Sequence, residues 1–244
     1  MPEGPSIVIL KESVQSFKNH EINAVYGNSK IEQERLLNQT VCDFKSWGKH
    51  FLICLDDFTV KIHLLMFGSY LVNEDKPTPV RLGITFPNGF INFYNCSVKI
   101  LEGKAEDMYD FTADVMNDAW NPEQAKRKLA QVVPDMTASD ALLEQDIFSG
   151  VGNIIKNEAL YRIGVQPESL VGKIPEEKLD EMIKEARNYS FDFLYWKKRY
   201  ELRKHWLVHN KKNCPSCESN LIKKIVGTKQ RRSFYCETCQ KLYQ

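Results

Sequence analysis

Apolar residues recur at Ile7, Leu10, Val14 and Phe17, the three- and four-residue steps of one helical face, and Pro5 stands where a helix can open. Beyond Glu21 the period shortens. The runs HFLICL, FTVKIHLLMF, RLGITF and GFINFY are separated by DD, GS, KPTP and PNG, which predicts an antiparallel β-sandwich or barrel to about Leu101. PNG marks a hairpin turn. Residues 103–121 are polar and read as a linker or a frayed helix. Asn121-Pro122-Glu123-Gln124 is a helix start, with an Asn cap, Pro first and Gln third. Further helices are expected over 139–148, 154–162 and about 175–204, with a tight SGVGN turn between the first two and Gly164 and Pro167 closing the second. The last segment, 213–244, reads as a small hairpin held by paired cysteines. The fold class expected is α+β, with a β-sandwich domain over 1–110, a helical domain over 111–210 and a four-cysteine module over 211–244.

Composition narrows the class. The chain has 244 residues, 43% apolar and 27% charged, enough to bury a core. No apolar run approaches the ~20 residues of a membrane span. MPEGPSIVIL has no basic stretch leading into an apolar one, so no secretory signal is expected. Seven cysteines suit a metal site in a reducing cytoplasm better than a disulfide framework, with four in CxxC pairs and Cys42, Cys54 and Cys96 scattered. The net charge of +1 hides an asymmetry: residues 190–244 carry 13 Lys/Arg against 4 Asp/Glu, and the rest carry 20 against 28. Aromatics are interleaved with the basic residues (Phe191, Phe193, Tyr195, Trp196, Tyr200, Trp206), which points to a polyanionic partner rather than to a merely solvated face.

Cys214-x2-Cys217 and Cys236-x2-Cys239, 18 residues apart, have the spacing of a closed four-thiolate site on two knuckles. Soft thiolates at tetrahedral spacing select zinc, and with no open position the ion would be structural. Its task would be to hold the loop that presents Lys229, Arg231 and Arg232. In Ser149-Gly150-Val151-Gly152-Asn153 the glycines allow close backbone approach, and Asn153 reads as the cap of the next helix, its positive end turned to a phosphate. A plain helical hairpin explains this turn equally well.

Four motifs in order, MPEGP, GKHFL at 48–52, LLEQDIFSGVGNIIKNEALYRIGVQP and CPSC…QRRSFYCETCQ, resemble the bacterial formamidopyrimidine-DNA glycosylase and endonuclease VIII family along the whole chain. The resemblance implies an N-terminal β-sandwich, a helix–two-turn–helix domain and a zinc-finger hairpin. It also implies a monomer that acts on damaged double-stranded DNA, removes oxidised bases and cuts the strand by β,δ-elimination. Pro2, exposed once Met1 is removed, would be the nucleophile. A terminal amine with a pKa of ~8 is partly neutral at pH 7, where a lysine is not. Glu3 would be its acid/base partner. Lys49 and Arg231 join the catalytic set through their hold on phosphates beside the lesion, and Asn153 would clamp the DNA backbone with them. Arg231 stands five residues before Cys236, where the family has its zinc-finger arginine.

The chain also departs from the pattern. Ser6 stands where many members have a second Glu. FYNCSVKI replaces the DPRRFG-like loop, and no glycine-containing loop that could cover an oxidised purine is evident between Ala186 and Trp206. Both absences favour the endonuclease VIII branch and oxidised pyrimidines. The wedge that fills the hole left by a flipped base would come from HLLMFG, with Leu65, Met66 and Phe67 as candidates, at least one of them expected to be buried if the segment is a strand. The alternative is a non-catalytic damaged-DNA binding protein of the same fold.

Overall fold

The computed structural model describes residues 2–244, which form two compact units, one ending at Asp110 and the other running from Phe111 to Gln244. Helix α1 (Gly4–Ser13) opens the first unit with Pro5 in its first turn, and a 3-10 turn carries the same face on to Phe17. Ile7, Leu10, Val14 and Phe17 are all fully buried, as their spacing requires. Eight strands follow: β1 (Ala24–Tyr26), β2 (Asp43–Trp47), β3 (His50–Cys54), β4 (Phe58–His63), β5 (Ser69–Val72), β6 (Leu82–Phe86), β7 (Gly89–Tyr94) and β8 (Ser97–Glu102). They pair antiparallel in two four-stranded sheets, ordered β1-β6-β7-β5 and β2-β3-β4-β8. One core joins them: Phe44, Phe51, Ile53, Val60 and Ile62 of one sheet with Leu82, Ile84, Ile91 and Phe93 of the other. This is the sandwich alternative. The PNG turn closes β6 on β7, pairing Phe86 with Gly89. Gly89 lies at φ +148°, and a Cβ there would sit 2.2 Å from Asn73 Oδ1, so glycine is required.

The polar stretch after β8 holds a single helical turn, α2 (Ala105–Met108), and a 3-10 turn at Phe111–Ala113. In the second unit α3 (Pro122–Leu129) begins as expected, Asn121 Oδ1 accepting from the Gln124 N–H at 3.0 Å. The helix expected over 139–148 is shorter. α4 (Ala138–Leu142) is capped by Thr137 and stops after five residues. The Gln145 side chain then competes for the main chain, donating to Leu143 O (3.0 Å) and Val151 O (3.2 Å) and accepting from Gly150 N–H (3.2 Å). α5 (Asn153–Arg162) ends in a Schellman motif at Gly164, φ +70°, with Val165 N–H on Leu160 O at 3.0 Å. α6 (Glu176–Lys198) also stops before its expected end at 204, because Tyr200 turns into the left-handed region at φ +60°. The hairpin β9 (Ile222–Val226) and β10 (Arg231–Tyr235) packs β10 against α5. A second core, including Leu142, Phe148, Ile155, Leu160, Met182 and Phe193, ties these helices together. No helix among the described residues is long and apolar enough to cross a membrane.

Candidate nucleic-acid interface and metal centre

In the first unit Glu3 is the N-cap of α1 and is fully buried, not a solvated surface acid. Its N–H donates to Ser6 Oγ at 3.4 Å, and the Ser6 N–H donates to Glu3 O at 2.8 Å. The side chain at position 6 therefore braces the turn that carries Pro2 and Glu3. Lys49 lies in no strand. It follows Gly48 in the two-residue turn between β2 and β3, where Trp47 pairs with His50. Gly48 supplies the left-handed φ of +52° that this turn needs.

HLLMFG is not a strand either. Leu64 is buried, then the chain turns, with Leu65 at φ +52° and the Gly68 N–H on Leu64 O at 2.7 Å. Strand alternation does not apply, so Leu65, Met66 and Phe67 all project. The first two are half exposed and Phe67 is 81% exposed. Large apolar side chains held out on a tight turn have the form of a wedge.

In the second unit the glycine turn is pinned by Ser149, whose N–H donates to Ala113 O (2.8 Å) and whose O accepts from Val115 N–H (3.2 Å). Gly150 adopts φ +97°. The cap of α5 is Gly152, not Asn153, which is the first residue inside the helix and so at its positive end. The Asn153 side chain reaches the hairpin instead: Nδ2 donates to Arg232 O at 2.9 Å, while Oδ1 is buried with no hydrogen-bond partner among the described residues. One amide thus fixes the start of α5 against the strand that bears Arg231, which is exposed at the first position of β10.

The turn before Arg231 is held by a residue the sequence did not single out. Asp140 on α4 accepts from the Thr228 N–H (2.6 Å), the Thr228 hydroxyl (3.0 Å) and the Lys229 N–H (3.2 Å). Gly227, φ +72°, lies so close that a Cβ would sit 2.3 Å from Asp140 Oδ2. Lys229 is engaged in an ion pair with Glu144 at 2.8 Å, while Arg231 and Arg232 are exposed. Three consecutive polar residues of α5 are buried for the same purpose. Lys156 Nζ donates to Ser233 Oγ (2.7 Å), and Asn157 Oδ1 accepts from Phe234 N–H (3.3 Å). Glu158 accepts from the N–H groups of Leu207, Val208 and His209 (2.7–3.0 Å). Burial pushes the Glu158 carboxyl up against those three donors. His209, pushed down to about 4 by burial and the Lys156 charge, meets Asn157 Nδ2 through its Nδ1 at 3.0 Å. No apolar periodicity reports such residues, because each is buried by a partner some fifty or more positions away.

The four cysteine Sγ atoms of 214, 217, 236 and 239 all lie within 4.8 Å of one another, with Cys214–Cys239 at 3.7 Å and Cys217–Cys236 at 3.4 Å. A tetrahedral ion with metal–sulfur bonds of about 2.3 Å needs sulfurs roughly 3.8 Å apart, so the set fits a four-thiolate metal centre. Hydrogen bonding led by the Ser219 hydroxyl lowers the Cys217 pKa while the hydrogen bond with Cys217 raises that of Cys239, so a bound metal, not the protein alone, would hold all four as thiolates. Cys54 and Cys96, pushed up to about 11 by burial, stay thiols in the first core.

Comparison with known proteins places this geometry. Residues 1–96 match the formamidopyrimidine-DNA glycosylase N-terminal domain, and residues 111–189 match the H2TH domain of the same glycosylase. Human endonuclease 8-like 2 is 31% identical over 199 residues, 74% of this chain and 57% of that protein. Endonuclease 8-like 3 of Xenopus laevis is 27% identical over 84% of this chain, which spans only 36% of that relative's length. Among solved structures, a viral DNA glycosylase superposes with a TM-score of 0.84 at 24% identity, covering 98% of this chain and all of that one. A Lactococcus lactis formamidopyrimidine-DNA glycosylase, bound to DNA containing an abasic site, superposes at 0.84 with 16% identity, covering 98% and 99% of the two chains. These neighbours share the α+β fold. The two domain models together take in most of the chain, and it belongs to the formamidopyrimidine-DNA glycosylase and endonuclease VIII family.

Proposed function

We propose that this chain is a DNA glycosylase of base excision repair that also cuts at abasic sites, and that Pro2 is its nucleophile. The observation that carries this is the buried carboxyl of Glu3 at the first turn of α1, beside Pro2. A carboxyl there has no solvation to gain and can serve the sugar as an acid. With Met1 removed, the Pro2 amine attacks C1′ of the damaged nucleotide, and the base departs with the C1′–N bonding electrons and a proton. Glu3 protonates O4′ as the C1′–O4′ bond breaks, which leaves a Schiff base between Pro2 and C1′. That iminium accepts the electrons released when C2′ loses a proton, so the 3′ and then the 5′ phosphate can be eliminated. Lys49, Asn153 and Arg231 hold backbone phosphates, and Met66 and Phe67 take the place of the flipped base.

Cys214, Cys217, Cys236 and Cys239 hold one structural zinc, whose chemistry is to fasten the hairpin and nothing more. The seven cysteines suit a reducing compartment, the cytoplasm, and the enzyme acts as a monomer. FYNCSVKI in place of a DPRRFG-like loop, and no evident purine-covering loop between Ala186 and Trp206, support a preference for oxidised pyrimidines. A site without a covering loop has few groups with which to read a purine edge.

Borohydride trapping tests both halves. The protein becomes covalently joined to abasic-site duplex, and faster to a thymine glycol duplex than to an 8-oxoguanine one. Retaining Met1, or Pro2→Gly, removes most of the adduct. Full trapping with Met1 demonstrably in place would show another nucleophile. No trapping by intact protein that still binds the duplex would favour the non-catalytic binder.

A further inference from the structure

We propose that the C-terminal end of α6 is a separate stacking platform for unpaired nucleotides, formed by Phe191, Tyr195 and Tyr200 with the basic side chains beside them. It rests on the nucleic-acid part of the function above and not on the chemistry at Pro2.

Phe191 and Tyr195 stand at i and i+4 and share one face of α6, and Arg199, its C-cap, follows Tyr195 four positions on. The apolar duty of the helix is met elsewhere, by Met182, Ile183, Ala186, Tyr189 and Phe193 in the core. Yet Phe191 is 41% and Tyr195 is 55% exposed, and Tyr200 at 97% is more open to solvent than Phe67. Tyr200 also holds a left-handed backbone at φ +60°, which L residues other than glycine, Asn and Asp adopt rarely. That conformation closes α6, with Tyr200 N–H on Lys197 O at 3.0 Å and Glu201 N–H on Trp196 O at 2.9 Å, and the same turn leaves the Tyr200 ring in solvent.

The charge about these rings selects the occupant. From Lys197 to Lys204 there are five basic residues and one acid, Glu201, which Lys204 engages at 3.2 Å. The Arg199 guanidinium lies 3.5 Å from the Tyr195 ring centre, and the Arg187 guanidinium 4.9 Å from that of Phe191. The Arg199–Tyr195 pair brings a π-system and phosphate donors to one place, whereas Arg187 Nη1 is committed to Val115 O and Asn117 O at 2.8 and 2.9 Å. Burial first, and the nearby Arg203 second, hold the Lys197 pKa below its usual value. A membrane would ask for an apolar helix face, which is already in the core. A duplex hides its base faces in the stack. Unpaired bases present theirs, and a groove of cations with aromatic steps is how single strands are held without sequence preference.

The full-length, metal-loaded chain is titrated by fluorescence anisotropy with two probes: a short oligo(dT), which cannot pair, and a blunt duplex carrying a tetrahydrofuran abasic-site analogue. Tyr195→Ala with Tyr200→Ala lowers oligo(dT) affinity about tenfold or more, because two stacking faces are lost. Blunt-duplex affinity stays within about twofold, as for ordinary surface changes. The matching Tyr→Phe pair keeps the platform and restores oligo(dT) binding. Arg199→Gln lowers the salt dependence on oligo(dT) by about 0.7 of a slope unit. The proposal falls if wild-type protein does not bind oligo(dT), if the double variant loses both probes equally, or if its main effect is to abolish a dimer seen in sedimentation. Binding of oligo(dT) without the blunt duplex would overturn the proposed function and leave this surface standing.

Discussion

His209 and Arg231 sit at opposite extremes of burial, and each yields a measurement. The imidazole of His209 is buried, and its pKa is lowered to about 4 from 6.5. The unfolded chain therefore takes up its proton near pH 6.5 and the folded chain only near 4. Stability from this group is full above pH 6.5 and is lost as pH falls through that window, by about 3 kcal/mol at most. His50, lowered to about 4 by burial, Lys61 and His63, behaves alike. Glu158, raised by burial, works with the opposite sign and reduces the net slope. Urea midpoints between pH 7.5 and 5 check this: His209→Asn should reduce the acid-side slope that it shares with His50 and His63, and an unchanged slope would show that His209 does not carry it. Arg231 is exposed and bears on affinity. Arg231→Ala should weaken DNA binding across sequences and flatten the salt dependence by about one unit of slope. A shift in base preference at constant slope would mean a base contact instead.

At the scale of elements, the hairpin owes its placement to α4 and α5 as much as to its cysteines. Asp140 alone accepts three hydrogen bonds from the turn before Arg231. Asp140→Ala leaves three partly buried donors without their acceptor, at a cost of about 1 kcal/mol. It should lower DNA affinity while metal analysis still finds one ion per chain, whereas Asp140→Asn, which keeps an acceptor oxygen, should lose less. Metal loss together with the affinity would assign Asp140 to the metal site's integrity instead. Removing the ion has a different signature. Four thiolates crowded within 4.8 Å repel one another once bare, and structural zinc supplies folding energy directly. Hydrogen exchange over 213–240 should rise sharply on chelation while β2, β3 and β4 keep their protection. Equal protection with and without metal would show that the hairpin stands on its hydrogen bonds to α4 and α5.

Over the whole molecule, what the sequence determined by itself was local. Ile7, Leu10, Val14 and Phe17 face one core because a helix repeats every 3.6 residues. PNG closes β6 on β7, Asn121 caps α3 and Gly164 ends α5, because caps and tight turns are settled within a few residues. The CxxC pairs fixed a metal site because each knuckle is a local turn. Two helix ends were equally local yet carry no apolar signal: Gln145 cuts α4 short by turning its side chain on the main chain within six residues, and Tyr200 ends α6 in a left-handed residue. Tertiary structure decided the rest. Leu65, Met66 and Phe67 read as a strand with a buried member, yet a turn at Leu65 put all three outside. Lys156, Asn157 and Glu158 look like a solvated helical face, and Asp140 like an ordinary first-turn acid. Their burial becomes favourable only when donors and acceptors from the hairpin and from the 207–209 loop, 49 to 89 positions away, arrive to satisfy them. Apolar burial leaves a period in the sequence because it depends on which face a residue occupies. Polar burial leaves none, because it depends on a partner that only the folded chain supplies.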